Sequence, residues 1–316
     1  MIHAPLHPPA ETFRHEALLY EGLDGFVTGT LPFIRDAVRA RRPILVAVGS
    51  EKIARLRAAL DADADAVRFA DMAQVGRNPG RIIPAWHAFL DEHRDASAVS
   101  GIGEPIWAGR SAPELVECQL HESLLNVAFA DRAGFRLLCP YDVAALDERV
   151  VHEAGCSHPG VIDEEGSRES RAYRAGDDLL APFDVPLPTP AAPAEVLAFD
   201  QHSLGEVRQV VAQRGERAGL SPSRTQDLVL AANEVAANSL RHGGGRGVLR
   251  VWREEDAVAC EVTDRGHIAD PLVGRRPPGL GQVGGWGVWI AHQICDLVQV
   301  RTTPRGTVVR LTMRVG

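Results

Sequence analysis

A glutamate and an asparagine four residues apart, Glu234 and Asn238, are the pair in this sequence best placed to do chemistry together. Side chains at that spacing lie on the same side of an α-helix, about one turn apart. A carboxylate can take a proton from a hydroxyl group, and an amide oxygen can bind a magnesium ion. In a helix, the two groups would therefore face one pocket.

The surrounding residues predict that helix over 221–241. Ser221 is suited to be its N-cap, Pro222 fits the first helical position, and Gly243 follows its end. One stripe of the helix is expected to pack into a core: Leu228, Ala231, Ala232, Val235 and Ser239. Glu234 and Asn238 border this stripe, so we expect them to be half-buried. The pair alone is not diagnostic, because such pairs also occur on solvated helix surfaces.

The next residues predict two strands, at 248–252 and 258–262, joined by a charged turn. The second strand leads into Asp264, Arg265 and Gly266. This order places a side chain that only accepts hydrogen bonds beside a backbone that a ligand can approach closely. It suits the exocyclic amine of adenine. The alternative interpretation of Asp264 is a strand-end turn.

A glycine-rich region follows this hairpin. Residues 271–281 are too rich in glycine, proline and arginine for regular structure and predict a mobile lid. Gly284, Gly285 and Gly287 then open a helix predicted at 288–295, where backbone N–H groups and the positive helix end could meet phosphate. A plain helix-capping loop is the alternative. A closing hairpin, with strands at 297–301 and 307–313, would complete an antiparallel sheet.

This order of elements resembles the Bergerat-fold ATPases, a superfamily that includes gyrase, the heat-shock chaperones, histidine kinases and anti-sigma factor serine kinases. The resemblance covers about residues 197–316. The Asn-Ser-Leu-Arg-His-Gly ending of the first helix is most similar to the anti-sigma regulatory kinases.

The resemblance implies that the chain binds ATP and Mg²⁺. It implies that Asn238 holds the magnesium ion, that Glu234 acts as base toward the hydroxyl group being phosphorylated, and that Asp264 reads adenine. These roles are chemically reasonable, because phosphoryl transfer depends mainly on positioning and on neutralisation of charge. A single amide oxygen is enough for Mg²⁺, which keeps several of its waters.

The resemblance assigns further roles to glycine and threonine. Gly266 would let adenine seat closely, Gly285 and Gly287 would line the phosphate side of the lid, and Thr307 would support the carboxylate that reads adenine. Ile268 is a departure, since the family often has a second glycine at that place. The detail of the adenine pocket is therefore less well specified than the metal side.

The length of 316 residues predicts about two domains, with a boundary in the proline-rich residues 181–194. We expect an N-terminal domain over 1–180, a linker over 181–196 that packs into neither core, and the ATPase-like domain over 197–316. In the N-terminal part, helices alternate with strands, which predicts a parallel sheet covered by helices. The predicted helices are 31–41, 51–60, 82–93 and 113–130, and the predicted strands are 44–48, 67–70, 102–107 and 135–139.

The N-terminal part lacks the pattern of a phosphate-loop ATPase. That loop needs Gly-x-x-x-x-Gly-Lys before Ser or Thr, so that its lysine reaches the outer phosphates. Lys52 is the only lysine of the sequence; Glu51, not glycine, precedes it, and Ile53, not Ser or Thr, follows it. Nucleotide hydrolysis by this part is therefore not expected, and a sensor is.

Short landmarks in residues 12–165 resemble the MEDS sensory domain, a degenerate relative of the RecA-like ATPases. The resemblance implies sensing of a signal, which could be a small molecule, without catalysis. The landmarks are His15 with Leu18, Leu19 and Tyr20, then Phe26 and Phe33, then residues 138–142, and last His158 with Pro159.

Several soft ligands fall in the same part and could suggest a zinc or haem site: Cys118, His121, Cys139, His152, Cys156 and His158. Their spacing is irregular, the helix around Cys118 is apolar, and Cys139 lies in a predicted buried strand. These features favour core cysteines. The five cysteines also argue against a disulfide framework and for a reducing compartment.

No apolar run approaches the roughly 18 residues needed to cross a bilayer, and residues 1–9 lack the pattern of a secretion signal. We therefore expect a cytoplasmic protein. The net charge of −8, from 42 acidic and 34 basic residues, disfavours indiscriminate binding to nucleic acid. Arg275 and Arg276 in the lid could meet phosphate, although solvation at the surface is at least as good an interpretation.

The sequence thus predicts an α/β regulator with two parts: a RecA-like parallel sheet with helices, and an α+β sandwich of the Bergerat type. Its expected act is phosphorylation of Ser or Thr on a partner anti-sigma antagonist, coupled to sequestration of a sigma factor. Pairing into a homodimer is open. One alternative is an ATP-gated binding module without transfer. Another, a histidine kinase, is disfavoured because His202 lies at a predicted helix start.

Overall fold

The computed structural model describes residues 13–279 and 285–316. The chain divides into two compact units. Unit 1 runs to Gly76 and from Ala85 to Leu179, and unit 2 comprises Arg77–Pro84 and Leu180–Gly316. Across the residues that the structure describes, no helix combines the length and the apolar character needed to span a bilayer.

Unit 1 is built on a seven-stranded sheet in the order β3-β2-β4-β5-β1-β6-β7. All neighbouring strands are parallel except β6 and β7, which form an antiparallel pair at one edge. The strands are β1 Arg14–Tyr20, β2 Ile44–Val48, β3 Arg68–Asp71, β4 Val99–Gly103, β5 Phe135–Asp142, β6 Gly160–Asp163 and β7 Gly166–Glu169.

Helices cover this sheet, as the alternating pattern predicts. Every residue of β2 and of β4 is buried, which is typical of central strands in a parallel sheet. α5 begins with a capping box in which Ser111 and Glu114 satisfy each other's backbone donors. The helices of the N-terminal part are α1 Gly22–Arg39, α2 Ser50–Leu60, α3 Met72–Val75, α4 Ile82–Glu92, α5 Ala112–Ala128 and α6 Glu148–Ser157.

Two strand predictions differ from the structure. The strand expected at 102–107 is β4 and ends at Gly103, because Pro105 cannot donate to a ladder. β5, expected to end before Pro140, continues to Asp142. Pairing with β4 stops at Leu138, so beyond it only β1 flanks β5, and a residue without an N–H group is tolerated there.

Unit 2 has a five-stranded antiparallel sheet in the order β11-β12-β10-β9-β8, on which the helices α7, α8 and α9 pack. Buried side chains of the helices and of one sheet face form a single core, which includes Val211, Leu228, Ala291, Leu249 and Leu311. The elements are β8 Glu195–Asp200, α7 Leu204–Ala218, α8 Pro222–His242, β9 Arg246–Arg253, β10 Ala257–Asp264, α9 Trp286–Ile294, β11 Leu297–Thr303 and β12 Gly306–Arg314. The predicted fold class is therefore confirmed in both units.

α8 is the element that the sequence specified best. The Ser221 hydroxyl accepts a hydrogen bond from the Arg224 N–H, Pro222 is the first helical residue, and Gly243 follows the last. All five residues of the predicted apolar stripe are buried, each at most 2% exposed.

Two residues of the proline-rich segment are held in the fold of unit 2. Phe183 is only 6% exposed, and the Pro188 carbonyl accepts a hydrogen bond from Arg310 Nη2 at 2.7 Å. β8 also begins at Glu195, inside the predicted linker. Proline limits hydrogen bonding by the backbone, but it leaves carbonyl groups and apolar side chains free to pack.

Candidate functional site

The two residues best placed for chemistry meet the start of α9. Glu234 and Asn238 are half-buried on one edge of α8, as the periodicity predicts. A Cβ atom added to Gly287 would lie 2.6 Å from Asn238 Nδ2 and 3.4 Å from Glu234 Cβ. The first turn of α9 therefore lies directly against both side chains, and only glycine fits there without displacing Asn238.

Gly285 is the N-cap of α9 and has a φ of +83°, in the left-handed region that favours glycine. The first N–H groups of the helix have no partner within it, and they carry the positive end of its dipole. Because Val288 and Ala291 are buried, the core of unit 2 fixes the helix in place. This arrangement offers backbone donors to an anion beside Asn238.

The predicted lid is only partly described. Residues 271–279 contain no helix or strand, as expected, while residues 280–284, including Gly281 and Gly284, lie outside the described residues. Arg275 is only 4% exposed and Arg276 is exposed, so the interpretation of these arginines as solvated surface fits Arg276 alone.

Asp264 forms a second cluster at the end of β10. Its Oδ2 atom accepts a hydrogen bond from Ser239 Oγ at 2.5 Å, and its Oδ1 atom accepts one from the Gly266 N–H at 2.6 Å. A Cβ atom on Gly243 would lie 2.4 Å from Asp264 Cγ, so the end of α8 closes on the carboxylate. Each carboxylate oxygen can accept a further hydrogen bond, which leaves Asp264 able to bind an amine.

Thr307 lies opposite Asp264 in the β10–β12 ladder and is buried. Its hydroxyl donates to the Gly266 carbonyl at 3.0 Å and lies 3.1 Å from Thr302 Oγ1. The Thr307 side chain thus fixes the backbone beside Asp264. Gly306 precedes it at a φ of +131°, and a Cβ atom there would overlap the Asp264 carbonyl oxygen at 1.9 Å.

Sequence reasoning missed the role of Ser239. It assigned this residue to the core stripe, whereas the structure shows its hydroxyl bonded to Asp264. A serine within an apolar stripe is itself a signal, because a buried hydroxyl needs a hydrogen-bond partner.

α8 joins the two clusters, since it presents Glu234 and Asn238 to α9, and Ser239 to Asp264. The donor set includes an amide oxygen and a carboxylate, which Mg²⁺ prefers, together with helix-start N–H groups suited to phosphate. The carboxylate of Asp264 can accept from an exocyclic amine. At Gly243, Gly287 and Gly306 a Cβ atom would collide with these groups, so the backbone can approach them closely. Together, these residues fit an adenine nucleotide with Mg²⁺.

In unit 1, Lys52 is engaged by neighbouring side chains. Its Nζ atom lies 2.5 Å from Glu104 Oε1 and 2.6 Å from Tyr20 Oη. Burial raises the pKa of Glu104, although Lys52 lies beside it. Lys52 is therefore bound to side chains of this unit, at the edge of the sheet where strands β1, β2 and β4 end. The sequence around it likewise lacks the phosphate-loop pattern.

Two family models match the chain. The model of the MEthanogen/methylotroph, DcmR Sensory domain (MEDS) matches residues 14–159, and the model of the histidine kinase-like ATPase domain matches residues 197–313. No curated protein matches the sequence.

A similar solved structure contains the RsbU and RsbW domains of a Mycobacterium tuberculosis protein. It is 22% identical, with a TM-score of 0.29, and the match covers 39% of this chain and 33% of that chain. A likeness this limited carries no argument about function. The two family matches show that the chain joins an N-terminal MEDS domain to a C-terminal domain of the histidine kinase-like ATPase family.

Proposed function

We propose that unit 2 binds ATP with Mg²⁺ and transfers a phosphoryl group to a Ser or Thr hydroxyl of a partner protein. The observation that carries this proposal is the placement of Glu234 and Asn238, half-buried on one helix edge, against Gly287 at the start of α9. A carboxylate, an amide oxygen and the backbone N–H groups of a helix start within one small region are the groups that such a transfer needs.

Each side chain has a separate task in this proposal. Asn238 holds the metal ion through its amide oxygen, and the first N–H groups of α9 bind phosphate. Asp264, fixed by Ser239 and by the Gly266 N–H, accepts from the amine of adenine. Bound ATP supplies the phosphoryl group. Glu234 takes the proton of the attacking hydroxyl at its carboxylate.

We further propose that the partner is an anti-sigma antagonist and that sequestration of a sigma factor is the coupled output. Support for this finer statement comes from the family of unit 2 together with the Asn-Ser-Leu-Arg-His-Gly ending of α8. The MEDS domain would supply the signal that sets the activity.

Radiolabelled Mg-ATP tests the transfer. The purified full chain is incubated with the label and with soluble proteins from its native cell, and phosphorylated Ser and Thr are identified by mass spectrometry. Glu234→Gln should lower transfer by at least about 100-fold, as for loss of a general base, with little change in ATP affinity. Glu216→Gln, on the exposed face of α7, is the control. Transfer that survives Glu234→Gln would show that this residue is not the base.

An ATP-gated binding module is the second candidate, because the same groups could bind nucleotide without transfer. ATP-dependent retention of a partner, with no label on it, would favour this function. A histidine kinase is disfavoured by the position of His202, which lies in an exposed turn before α7 and not within a helix. Label on His202 would reverse that judgement.

A further inference from the structure

Four fully buried side chains of unit 1 meet at one point: His15, Glu122, Cys139 and His158. They are 2%, 0%, 1% and 0% exposed, and their ligand atoms all lie within 4.8 Å of one another. Each comes from a different place: β1, α5, β5 and the residue that follows α6. This group, the His-Glu-Cys-His cluster, plays no part in the function proposed for unit 2.

The sheet itself brings two of these side chains together. β1 and β5 are parallel neighbours, and His15 lies opposite Leu137 while Ala17 lies opposite Cys139. Because side chains alternate between the two faces of a strand, His15 and Cys139 point to the same face. Glu122 from α5 and His158 after α6 complete the cluster.

The spacing of the four groups fits a small tetrahedral ion. The Oε2 atom of Glu122 lies 3.1 Å from His15 Nε2 and 3.2 Å from His158 Nε2, and the Cys139 Sγ atom lies 3.4 Å from His15 Nε2. A tetrahedral Zn²⁺ ion with bonds of about 2.0–2.3 Å has ligand atoms about 3.3–3.8 Å apart. These three contacts lie close to that range, and the other ligand atoms, all within 4.8 Å of one another, need to draw together around the ion.

The hydrogen bonds around His15 fix which nitrogen carries its proton. Asn126 Nδ2 donates to the Ser157 carbonyl at 2.8 Å, which turns the amide oxygen of Asn126 toward His15. That oxygen lies 3.1 Å from His15 Nδ1 and can only accept. His15 therefore donates from Nδ1, and in the neutral ring its Nε2 atom carries a lone pair directed at the cluster.

His158 has the same arrangement. Its Nδ1 atom lies 2.8 Å from the Ala154 carbonyl oxygen, an acceptor only, so the proton is again on Nδ1. A second hydrogen bond of this kind, which orients a histidine ring and fixes its tautomer, accompanies most metal-binding histidines. Both rings are thus held with Nε2 turned toward Glu122.

Three acceptors then converge in a place that solvent does not reach, and the Cys139 S–H group, whose sulfur lies 3.4 Å from His15 Nε2, is the donor among them. Two imidazole lone pairs face one carboxylate oxygen, which also only accepts when it is ionised. Neither Glu122 Oε1 nor His158 Nε2 has a hydrogen-bond partner. Buried polar groups without partners are costly, and a cation at the centre would be bound by the imidazole lone pairs and by the Glu122 carboxylate.

We propose that the His-Glu-Cys-His cluster binds a divalent transition-metal ion of the zinc type. Two neutral imidazoles, a carboxylate and a thiolate give mixed N, O and S ligation, which suits Zn²⁺. When the metal binds, the Cys139 S–H bond breaks, a sulfur–metal bond forms, and the proton leaves to solvent. The charges of the carboxylate and the thiolate then balance the ion, so the buried site is neutral. Four protein ligands make it a closed site that holds a metal without catalysis.

Cys118, Cys156 and His152, which the sequence also offered as soft ligands, make other contacts. Cys118 donates to the Pro105 carbonyl at 3.3 Å, and Cys156 lies 3.6 Å from His152, away from the cluster. The interpretation as core cysteines therefore suits Cys118 and Cys156. Cys139 has a different environment, because His15 and Glu122 reach it from distant parts of the chain.

Metal uptake by the full chain tests the proposal directly. The purified protein is stripped with a chelator, equilibrated with Zn²⁺ or Co²⁺, and freed of excess metal before analysis. We expect about one bound ion per chain and, with Co²⁺, a thiolate-to-cobalt charge-transfer band that Cys139→Ser abolishes. If the wild-type chain retains no metal, a shared proton holds the cluster together and the proposal is overturned.

The Zn²⁺ affinities of conservative variants test whether the ion lies in the His-Glu-Cys-His cluster. Glu122→Gln keeps the shape of the side chain and should weaken Zn²⁺ binding by more than about 100-fold. Asn126→Ala removes no ligand but releases His15 and the Ser157 carbonyl, and should weaken binding by about 10–100-fold. Cys118→Ser and His152→Gln are the matched controls and should leave affinity unchanged. Circular dichroism confirms that each variant is folded. Wild-type affinity in folded Glu122→Gln would put the metal at another place and overturn the proposal, as would a charge-transfer band that survives Cys139→Ser.

Discussion

Ser239 belongs both to the buried stripe of α8 and to the cluster around Asp264. Its backbone belongs to the apolar stripe of α8, and its hydroxyl donates to Asp264 at 2.5 Å. The residue before it, Asn238, faces the start of α9. Neighbouring positions on one helix thus serve the two ends of the proposed nucleotide site, because consecutive side chains point about 100° apart around the helix axis.

Asp264→Asn tests the adenine contact. The amide would present donors where the carboxylate now accepts, so the amine of adenine would lose a charge-assisted hydrogen bond worth about 1.5–3 kcal/mol. We expect ATP affinity, measured by isothermal titration calorimetry, to fall by at least about tenfold. Asp256→Asn, on the exposed turn between β9 and β10, is the control. Equal affinity in both variants would exclude Asp264 from the site.

Ser239→Ala tests the support of that carboxylate. The variant keeps the helix and removes one hydrogen bond to Asp264, which is worth about 1 kcal/mol. ATP affinity should therefore fall by about fivefold, less than for Asp264→Asn. The double variant should be no weaker than Asp264→Asn alone, because Ser239 acts through Asp264. A further loss in the double variant would contradict this positioning role.

At the scale of elements, the contact between α8 and α9 depends on a missing side chain. Gly287→Ala would put a methyl group against Asn238, so the amide must move. Mg²⁺-dependent ATP binding should then fall by at least about tenfold, the loss expected for one charge-assisted contact. Gly205→Ala is a close control, since Gly205 is also the second residue of its helix and has only the end of Arg208 nearby, at 3.9 Å.

Gly205→Ala should stabilise the protein by up to about 1 kcal/mol, because alanine favours helices over glycine. The two variants therefore separate helix propensity from crowding at the site. Loss of ATP binding in both, or in neither, would show that the contact between Gly287 and Asn238 does not shape the site.

On the sheet face of unit 2 that does not pack against its helices, the buried carboxylate of Glu261 pairs with two arginines. Glu261 on β10 accepts from Arg310 on β12, at 2.6 Å from Nη2, and from Arg250 on β9 at 3.1 Å. Glu261→Ala would leave the Arg310 guanidinium, only 10% exposed, without its carboxylate. We expect a loss of about 3–5 kcal/mol in the free energy of unfolding, measured by urea denaturation. Glu255→Ala, on an exposed turn, should change it by less than about 0.5 kcal/mol.

At the scale of the whole molecule, two units carry two proposed sites with different ligands. A ligand that binds only the folded form stabilises it by about 2.7 kcal/mol at 100 times its dissociation constant. In calorimetry of the full chain, Mg-ATP should raise the melting transition of unit 2, and Zn²⁺ that of unit 1. Asp264→Asn should cancel the first shift, and Glu122→Gln the second. A scan that Mg-ATP leaves unchanged would contradict the nucleotide site.

The residues of the proposed nucleotide site were largely readable from the sequence because they form local patterns. Glu234 and Asn238 share one helix, Asp264 and Gly266 share one strand end, and Gly285 and Gly287 share one helix start. Helix and strand periods determine which side chains point together within such segments. The sequence therefore specified α8, its buried stripe and the residues proposed for the site, while the bond from Ser239 to Asp264 needed the structure.

The His-Glu-Cys-His cluster was decided by the tertiary structure alone. His15 and Cys139 are 124 residues apart in the chain and become neighbours only because β1 lies beside β5 in a parallel sheet. Parallel strands need crossover connections, so the order of strands in the sheet differs from their order in the sequence. Spacing along the chain specifies chemistry within one element, and only the folded sheet shows which distant side chains share one buried centre.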